Sequence, residues 1–332
     1  MVAAFIDQGT EALVATQTAG PFTIPAGGSS PFRINVSPLD AVQLWSVGRP
    51  RLHTVSVTVR VGGATAPATD VHNVTFGVRD IAFDPSSGFF LNKQHVKLRG
   101  FCDFGTFGAV GAATPDRAHL FRAQVLRAAG ANAWRMAHNP PPPARLHVMD
   151  RLGLLALDEN HYYGNHGSPY GTYNPETLNQ TVRDMGDLVR RDRSHPSVFA
   201  WNLCNEVMCK DDAATAAAMR NVTNTLDGTR PITMNHIVTA GGALPYLDVQ
   251  GMSHRAGATM DAWHKANPTK PLLSTEAAIC KTERGVDTDF CPRPRTQTRD
   301  AKDWCLYNNE QAACIAPAVR VCVRACGYAQ RT

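Results

Sequence analysis

Ser197-Val198-Phe199-Ala200-Trp201-Asn202-Leu203-Cys204-Asn205-Glu206 is a run of strand-forming residues that ends on an amide and a carboxyl group. A buried strand takes apolar or β-branched side chains throughout, so a polar tip is either solvated by the following loop or kept for chemistry. Working outward, the chain repeats short apolar strands and amphipathic helices. Val96 to Gly100, Ala133 to Met136, Leu154 to Asp158, Ile232 to Met234, Leu247 to Gln250 and Leu272 to Glu276 read as further strands. Thr114-Pro115-Asp116 supplies an N-cap, a first-turn proline and an acid at the positive end of a helix dipole. The apolar stripe Ala118, Phe121, Val125 and Ala128 follows, and Gly130 ends it. A second helix is expected from Ala144 to Leu152, closed by Gly153. Asn174-Pro175-Glu176 repeats the start signal before Leu178, Val182, Met185 and Val189. Helices near 213–226 and 260–266 complete the series.

Strands linked by helical crossovers imply an α/β fold with a parallel sheet, either open and doubly wound or closed as a (β/α)8 TIM barrel. The loop Gly105 to Gly111 does not have the GxGxxG spacing of a dinucleotide site. Polar side chains gather instead at strand C-terminal ends: Arg135 and His138, Asp158 to Asn160, Asn205 and Glu206, His254, and Glu276. In a barrel those ends share one face, where barrel sites are built. Ahead of the barrel, residues 1–82 read as a partial β-sandwich. Its clearest strand is Val55 to Val61, joined by Val74 to Arg79 and a candidate at Leu44-Trp45; no clean leading strand is expected.

The chain has 332 residues and a net charge of +5 spread along its length, without a basic run or basic-aromatic alternation, so nucleic acid is not an expected partner. No apolar stretch approaches the roughly 18–20 residues of a membrane span, and the N-terminus lacks signal-peptide character, so a soluble chain is expected. Sequons at Asn35, Asn73, Asn179 and Asn221 suit secretion but also arise by chance, and they assign no compartment. Six of the nine cysteines lie from Cys280 onward, with no CxxC pair and no histidine completing a metal set, and 291–332 is read as a Cys-rich tail. The sequence assigns no oligomeric state.

Glu206 and Glu276, at the ends of the fourth and seventh strands, are a candidate acid/base and nucleophile. Retaining glycosidases set two carboxyl groups about 5–5.5 Å apart for those roles. The motifs Leu98-Arg99-Gly100, Asn132 to Pro140 (NAWRMAHNP), Gly153 to Asn160 (GLLALDEN), Arg191 to Val198 (RDRSHPSV), Asn205-Glu206, Asp248 to His254 (DVQGMSH) and Lys270 to Glu276 (KPLLSTE) follow one another in an order and spacing that resemble glycoside hydrolase family 2, most like its β-galactosidase branch, over about residues 39–290.

The resemblance implies an immunoglobulin-like sandwich over 1–82, a TIM-barrel catalytic domain over 83–290, Glu206 as acid/base and Glu276 as nucleophile. It further implies that Asn205 bonds the sugar 2-hydroxyl, that Arg135 orients the nucleophile, that His138, Asn139 and Asn160 line the sugar subsite, and that His254 lies near the nucleophile. Where the family places a histidine after the first strand this chain has Phe104, which leaves Asp103 as the polar candidate there. The family's jelly-roll sugar-binding domain has no counterpart at the N-terminus, and an eighth strand is not recognisable after Cys291. The expected activity is exo-acting hydrolysis of a carbohydrate substrate, a β-galactoside, with β-glucuronide or β-mannoside as alternatives. A noncatalytic fragment or carbohydrate-binding module is the alternative of another class. Some relatives use Mg2+ near the acid/base residue; no ligand set is recognisable, and no cofactor or obligatory metal is expected.

Overall fold

The computed structural model of the chain describes residues 1–36, 42–103, 105–107, 110–161, 175–206, 213–236, 242–254 and 257–276. The tail 291–332 and Phe104 lie outside these residues. Four strands, β1 (Val2–Asp7), β2 (Leu13–Thr18), β3 (His53–Val59) and β4 (Asp70–Phe76), form an antiparallel sheet in the order β2-β1-β3-β4. A leading strand is therefore present, and it lies inside the sheet, paired with β2 on one side and β3 on the other. It escaped the sequence reading because VAAFID has no period-two alternation, and its two buried side chains, Ala3 and Asp7, are four residues apart. Leu44-Trp45 is not a strand. Trp45 instead anchors this region: its backbone N–H donates to Val78 and its indole Nε1 donates 2.8 Å to the carbonyl of Asp150 in the barrel.

A small antiparallel sheet follows, β5 (Ile81–Asp84), β6 (Gly88–Leu91) and β7 (Gln94–His95). The expected domain boundary at 82/83 falls within β5. Phe83 and Phe89 pack on Phe199 with ring centroids 6.3 and 5.5 Å apart, and together with Leu91 they join Leu155 and Leu157 in one apolar cluster. This sheet thus fills the N-terminal end of the barrel.

The barrel runs β8 (Gly100–Asp103), α1 (Asp116–Ala128), β9 (Ala133–Met136), α2 (Pro143–Leu152), β10 (Leu155–Glu159), α3 (Pro175–Asp192), β11 (Val198–Asn205), α4 (Ala213–Leu226), β12 (Ile232–His236), β13 (Gln250–Ser253), α5 (Gly257–Ala266) and β14 (Leu272–Glu276). The seven strands among the described residues pair in parallel, in sequence order, from β8 to β14. The expected TIM barrel is present and nearly closed, with β8 and β14 brought together by a bond from the Cys102 thiol to the carbonyl of Thr275 at 3.2 Å.

Period two divides each strand between the barrel interior and the helices. On β9 and β10, Ala133, Leu155 and Leu157 belong to the inner cluster, whereas Trp134, Met136 and Ala156 pack with Leu146, Met149, Met185 and Val189 of the helices. Gly153 takes φ 69°, and a Cβ there would come 2.4 Å from the carbonyl oxygen of Val47, so only glycine fits this close approach between the sandwich side and the barrel. The face expected to bury α1 is displaced. Phe121 and Val125 are exposed, while His119 and Ala123 are buried. The helix is turned so that Arg122 donates to Asp103 and to the carbonyl of Thr106. Among the described residues no helix is long and apolar enough to cross a membrane.

Trp45 is fully buried between the two layers. Trp45→Ala is expected to lower unfolding free energy by about 3–5 kcal/mol, measured as a shift of the urea transition.

Candidate active site

The site is built where the inner rows reach their C-terminal ends. Arg135 on β9 is 4% exposed and lies level with Cys102 on β8 and Leu157 on β10. An arginine has five N–H donors in a fixed fork, and the structure engages all three nitrogens. Nε donates to Glu159 Oε2 at 2.7 Å and Nη2 to Glu159 Oε1 at 3.0 Å, a bidentate pair. Nη1 donates to Glu276 Oε2 at 2.7 Å and approaches the Cys102 sulfur at 3.7 Å. Nη2 also donates to Asn205 Oδ1 at 2.7 Å and lies 3.0 Å from His138 Nδ1. Burial alone would favour loss of the Arg135 proton, but the charge of Glu159 foremost, with that of Glu276 behind it, holds its pKa above the ordinary arginine value.

Glu159 is fully buried and also accepts from Asn202 Nδ2 at 2.6 Å. Asn205 Oδ1 accepts a second bond from Asn235 Nδ2 at 2.6 Å, and Thr275 Oγ1 donates to Asn235 Oδ1. Amide orientation follows from such networks. Turning the Asn235 amide over would set its oxygen 2.6 Å from the Asn205 oxygen, which already accepts from Arg135, so the orientation described is the consistent one. With Oδ1 doubly bonded, the Asn205 Nδ2 hydrogens have no protein partner among the described residues.

Glu206 follows β11 with φ 53°, and His254 follows β13 with φ 51°. Left-handed backbone at a non-glycine residue costs of order 1–3 kcal/mol and gathers at functional sites. These two residues meet: His254 Nε2 lies 3.1 Å from Glu206 Oε1 and 3.3 Å from Glu276 Oε1, while Ser253 Oγ donates to Glu206 Oε1 at 3.1 Å. The ligand-type atoms of Glu206, His254 and Glu276 all lie within 4.8 Å of one another. Mg2+ takes oxygen ligands in near-octahedral geometry, and an imidazole nitrogen set between two carboxylates does not match that preference.

Arg135, His138, Asn205, Glu206, His254 and Glu276 are thus brought together. Asp103, Asn160 and Asn139 are not. The Asp103 carboxylate faces Arg122 at 2.9 Å and Arg145 at 3.8 Å on the helix side, and burial raises its pKa more than those two arginines lower it. Asn160 is fully buried, with Nδ2 donating to the Thr181 carbonyl at 3.1 Å, away from the barrel mouth. Asn139 is exposed beyond β9. Three members of the cluster were not anticipated, Asn202, Asn235 and Ser253, and Glu159, one of the polar strand-end residues, was given no role. Strand parity was the available signal, since Leu155, Leu157 and Glu159 share a face while Asp158 and Asn160 take the other.

Fold and site together define a TIM-barrel domain with a paired-carboxylate centre at its C-terminal mouth. Residues 85–290 match the family described as glycosyl hydrolases family 2, TIM barrel domain, and the chain belongs to that family. A putative β-glucuronidase of Formosa agariphila is 32% identical over 246 residues, 73% of this chain and 22% of that protein. A β-galactosidase of Bacteroides ovatus is 34% identical over 166 residues, 50% of this chain and 19% of its own length. The chain therefore spans about a fifth of the length of these relatives (22% and 19%). A solved glycosyl hydrolase family 2 member from Bacteroides cellulosilyticus is similar with a TM-score of 0.69 at 29% identity, covering 83% of this chain and 37% of that one.

Removing one partner of a buried ion pair leaves the other charge uncompensated. Glu159→Leu is expected to cost about 3–5 kcal/mol of stability on that ground, read from urea unfolding, whereas Glu206→Gln is expected to shift the same transition by less than about 1 kcal/mol, since among the described residues Glu206 is held by the Ser253 hydroxyl and His254 and by no arginine or lysine.

Proposed function

We propose that this chain carries the catalytic barrel of a retaining β-glycosidase that hydrolyses terminal β-galactosides, with Glu276 as nucleophile and Glu206 as acid/base. The observation that carries the reading is the carboxylate spacing. Oxygens of Glu206 and Glu276 lie within 4.8 Å, a separation suited to the retaining reaction and too short to hold a water for inversion. Their surroundings support the division of roles. Glu276 is paired with the Arg135 guanidinium at 2.7 Å, whereas Glu206 is met by the Ser253 hydroxyl and His254.

In the first step a Glu276 oxygen attacks the anomeric carbon, the glycosidic C–O bond breaks, and Glu206 gives its proton to the departing oxygen. In the second, Glu206 takes a proton from water, the water oxygen bonds the anomeric carbon, and the ester to Glu276 breaks. Asn205, its oxygen fixed by Arg135 and Asn235, has amide hydrogens available to the sugar 2-hydroxyl, a bond that strengthens in the transition state.

A second reading, a β-glucuronide substrate, is favoured by the name of the Formosa agariphila relative. A glucuronide carboxylate calls for a cation. Among the described residues the guanidinium bonded to this cluster is that of Arg135, and its nitrogens are committed to Glu159, Glu276, Asn205 and Cys102. A neutral sugar suits that arrangement better.

Nitrophenyl β-galactoside is expected to be cleaved faster than the corresponding β-glucuronide. Glu276→Gln is expected to lower kcat/KM by about 10³-fold or more. Glu206→Gln is expected to lose about 10²–10⁴-fold on an alkyl β-galactoside and far less on a dinitrophenyl β-galactoside, whose leaving group needs no proton. Galactose binding by calorimetry without turnover of either glycoside would establish the noncatalytic alternative instead.

A further inference from the structure

At the opposite end of the barrel from the carboxylate pair, three side chains that play no part in the catalytic reading converge. His147 and Asp150 lie three residues apart on one face of α2, and His195 stands in the turn between α3 and β11. Their ligand-type atoms all lie within 4.8 Å of one another. β11 has eight residues, and at about 3.3 Å per residue the cluster is on the order of 25 Å from Glu206.

Asp150 is buried and its two oxygens have separate duties. Oδ1 accepts the backbone N–H of Ser197 at 3.0 Å, and Oδ2 lies 2.5 Å from His195 Nδ1. A carboxylate on Nδ1 fixes the imidazole tautomer that carries its proton there and leaves Nε2 with a lone pair, the arrangement that orients metal-ligating histidines. The His147 ring stands beside it, with centroids 4.9 Å apart and planes at 62°. His195 is 7% exposed and held by Asp150, whereas His147 is exposed.

We propose that His147 and His195 bind a divalent transition-metal ion of the zinc class, with Asp150 orienting His195. Imidazole nitrogens suit zinc, copper and nickel ions. A tetrahedral ion bound at about 2.0–2.2 Å sets its ligand atoms roughly 3.4 Å apart, so the exposed His147 would turn to bring a ring nitrogen to that distance from His195 Nε2, with water in the remaining positions. The bound ion would tie α2 to the turn that leads into β11. The Asp150 carbonyl also holds the Trp45 indole, so the ion would brace the junction with the sandwich side, separately from catalysis.

The test is titration of the full chain with zinc chloride by calorimetry, beside His147→Gln, a change at an exposed helix position whose folding is checked by an unchanged Tm in EDTA. The wild type is expected to bind one ion at least 10-fold more tightly than the variant, and zinc is expected to raise the Tm of the wild type alone. Cobalt(II) bound at the site lost in the variant is expected to show d–d bands without thiolate charge transfer, which separates it from the chain's cysteines. Zinc affinity and stoichiometry unchanged by His147→Gln would overturn the proposal, as would a thiolate band in the cobalt difference spectrum.

Discussion

The barrel mouth depends on one buried cation. Transferring a guanidinium out of water costs several kcal/mol, and the cost is recovered only where geometry and further bonds are nearly complete. Arg135 meets that condition through the bidentate Glu159 below, Glu276 at one side and Asn205 at the other. Its charge therefore has two consequences at once. It gives the fully buried Glu159 carboxylate a bidentate partner, and it fixes the rotamers of the nucleophile candidate and of the amide beside the acid/base candidate. A lysine could not reproduce this, because a point charge on a flexible stem lacks the planar fork.

Much of the barrel was legible because its strands and helices carry the periods that fold imposes. β9, β11 and β14 lie within a residue of where apolar runs place them, and Gly153 ends α2 as its position suggests. The site was legible at its two carboxylates and at Arg135, and less so around them. Asp103 drew attention as the polar residue beside Phe104 and Asn160 as one at a strand end, yet both sit on the helix-facing parity, opposite Cys102 and Glu159. Residue type marks chemistry; parity within the strand decides whether that chemistry reaches the mouth. Asn235 illustrates the remaining difficulty, since only the pairing of β12 with β11 sets it level with Asn205.

The sandwich side was harder to read for a different reason. A two-sided buried strand or a half-buried antiparallel one leaves a pattern, but β1 has intermediate exposure at most positions and shows neither. Likewise the α1 stripe of Phe121 and Val125 has the spacing of a core face, and the helix is nonetheless turned toward the salt bridge of Arg122 with Asp103. The residues buried on α1 are instead His119 and Ala123. That outcome is consistent with α1 lying next to β8, an end strand of the sheet with the exposed Phe101.

The two ends of the seven-stranded sheet meet beside the paired carboxylates. Cys102 stands on the exposed edge of β8, but its thiol is enclosed between Arg135 and β14, and burial pushes it up to about 11. At neutral pH it is therefore an S–H donor, and it donates to the Thr275 carbonyl one residue before Glu276. A thiol donor is weak, so this bond alone would hold the edges poorly. The Arg135 to Glu276 ion pair spans the same gap from β9 to β14, and the Thr275 hydroxyl ties β14 to β12 through Asn235. Among the described residues, the contacts that bring β8 and β14 together and those that orient the nucleophile candidate are thus the same contacts.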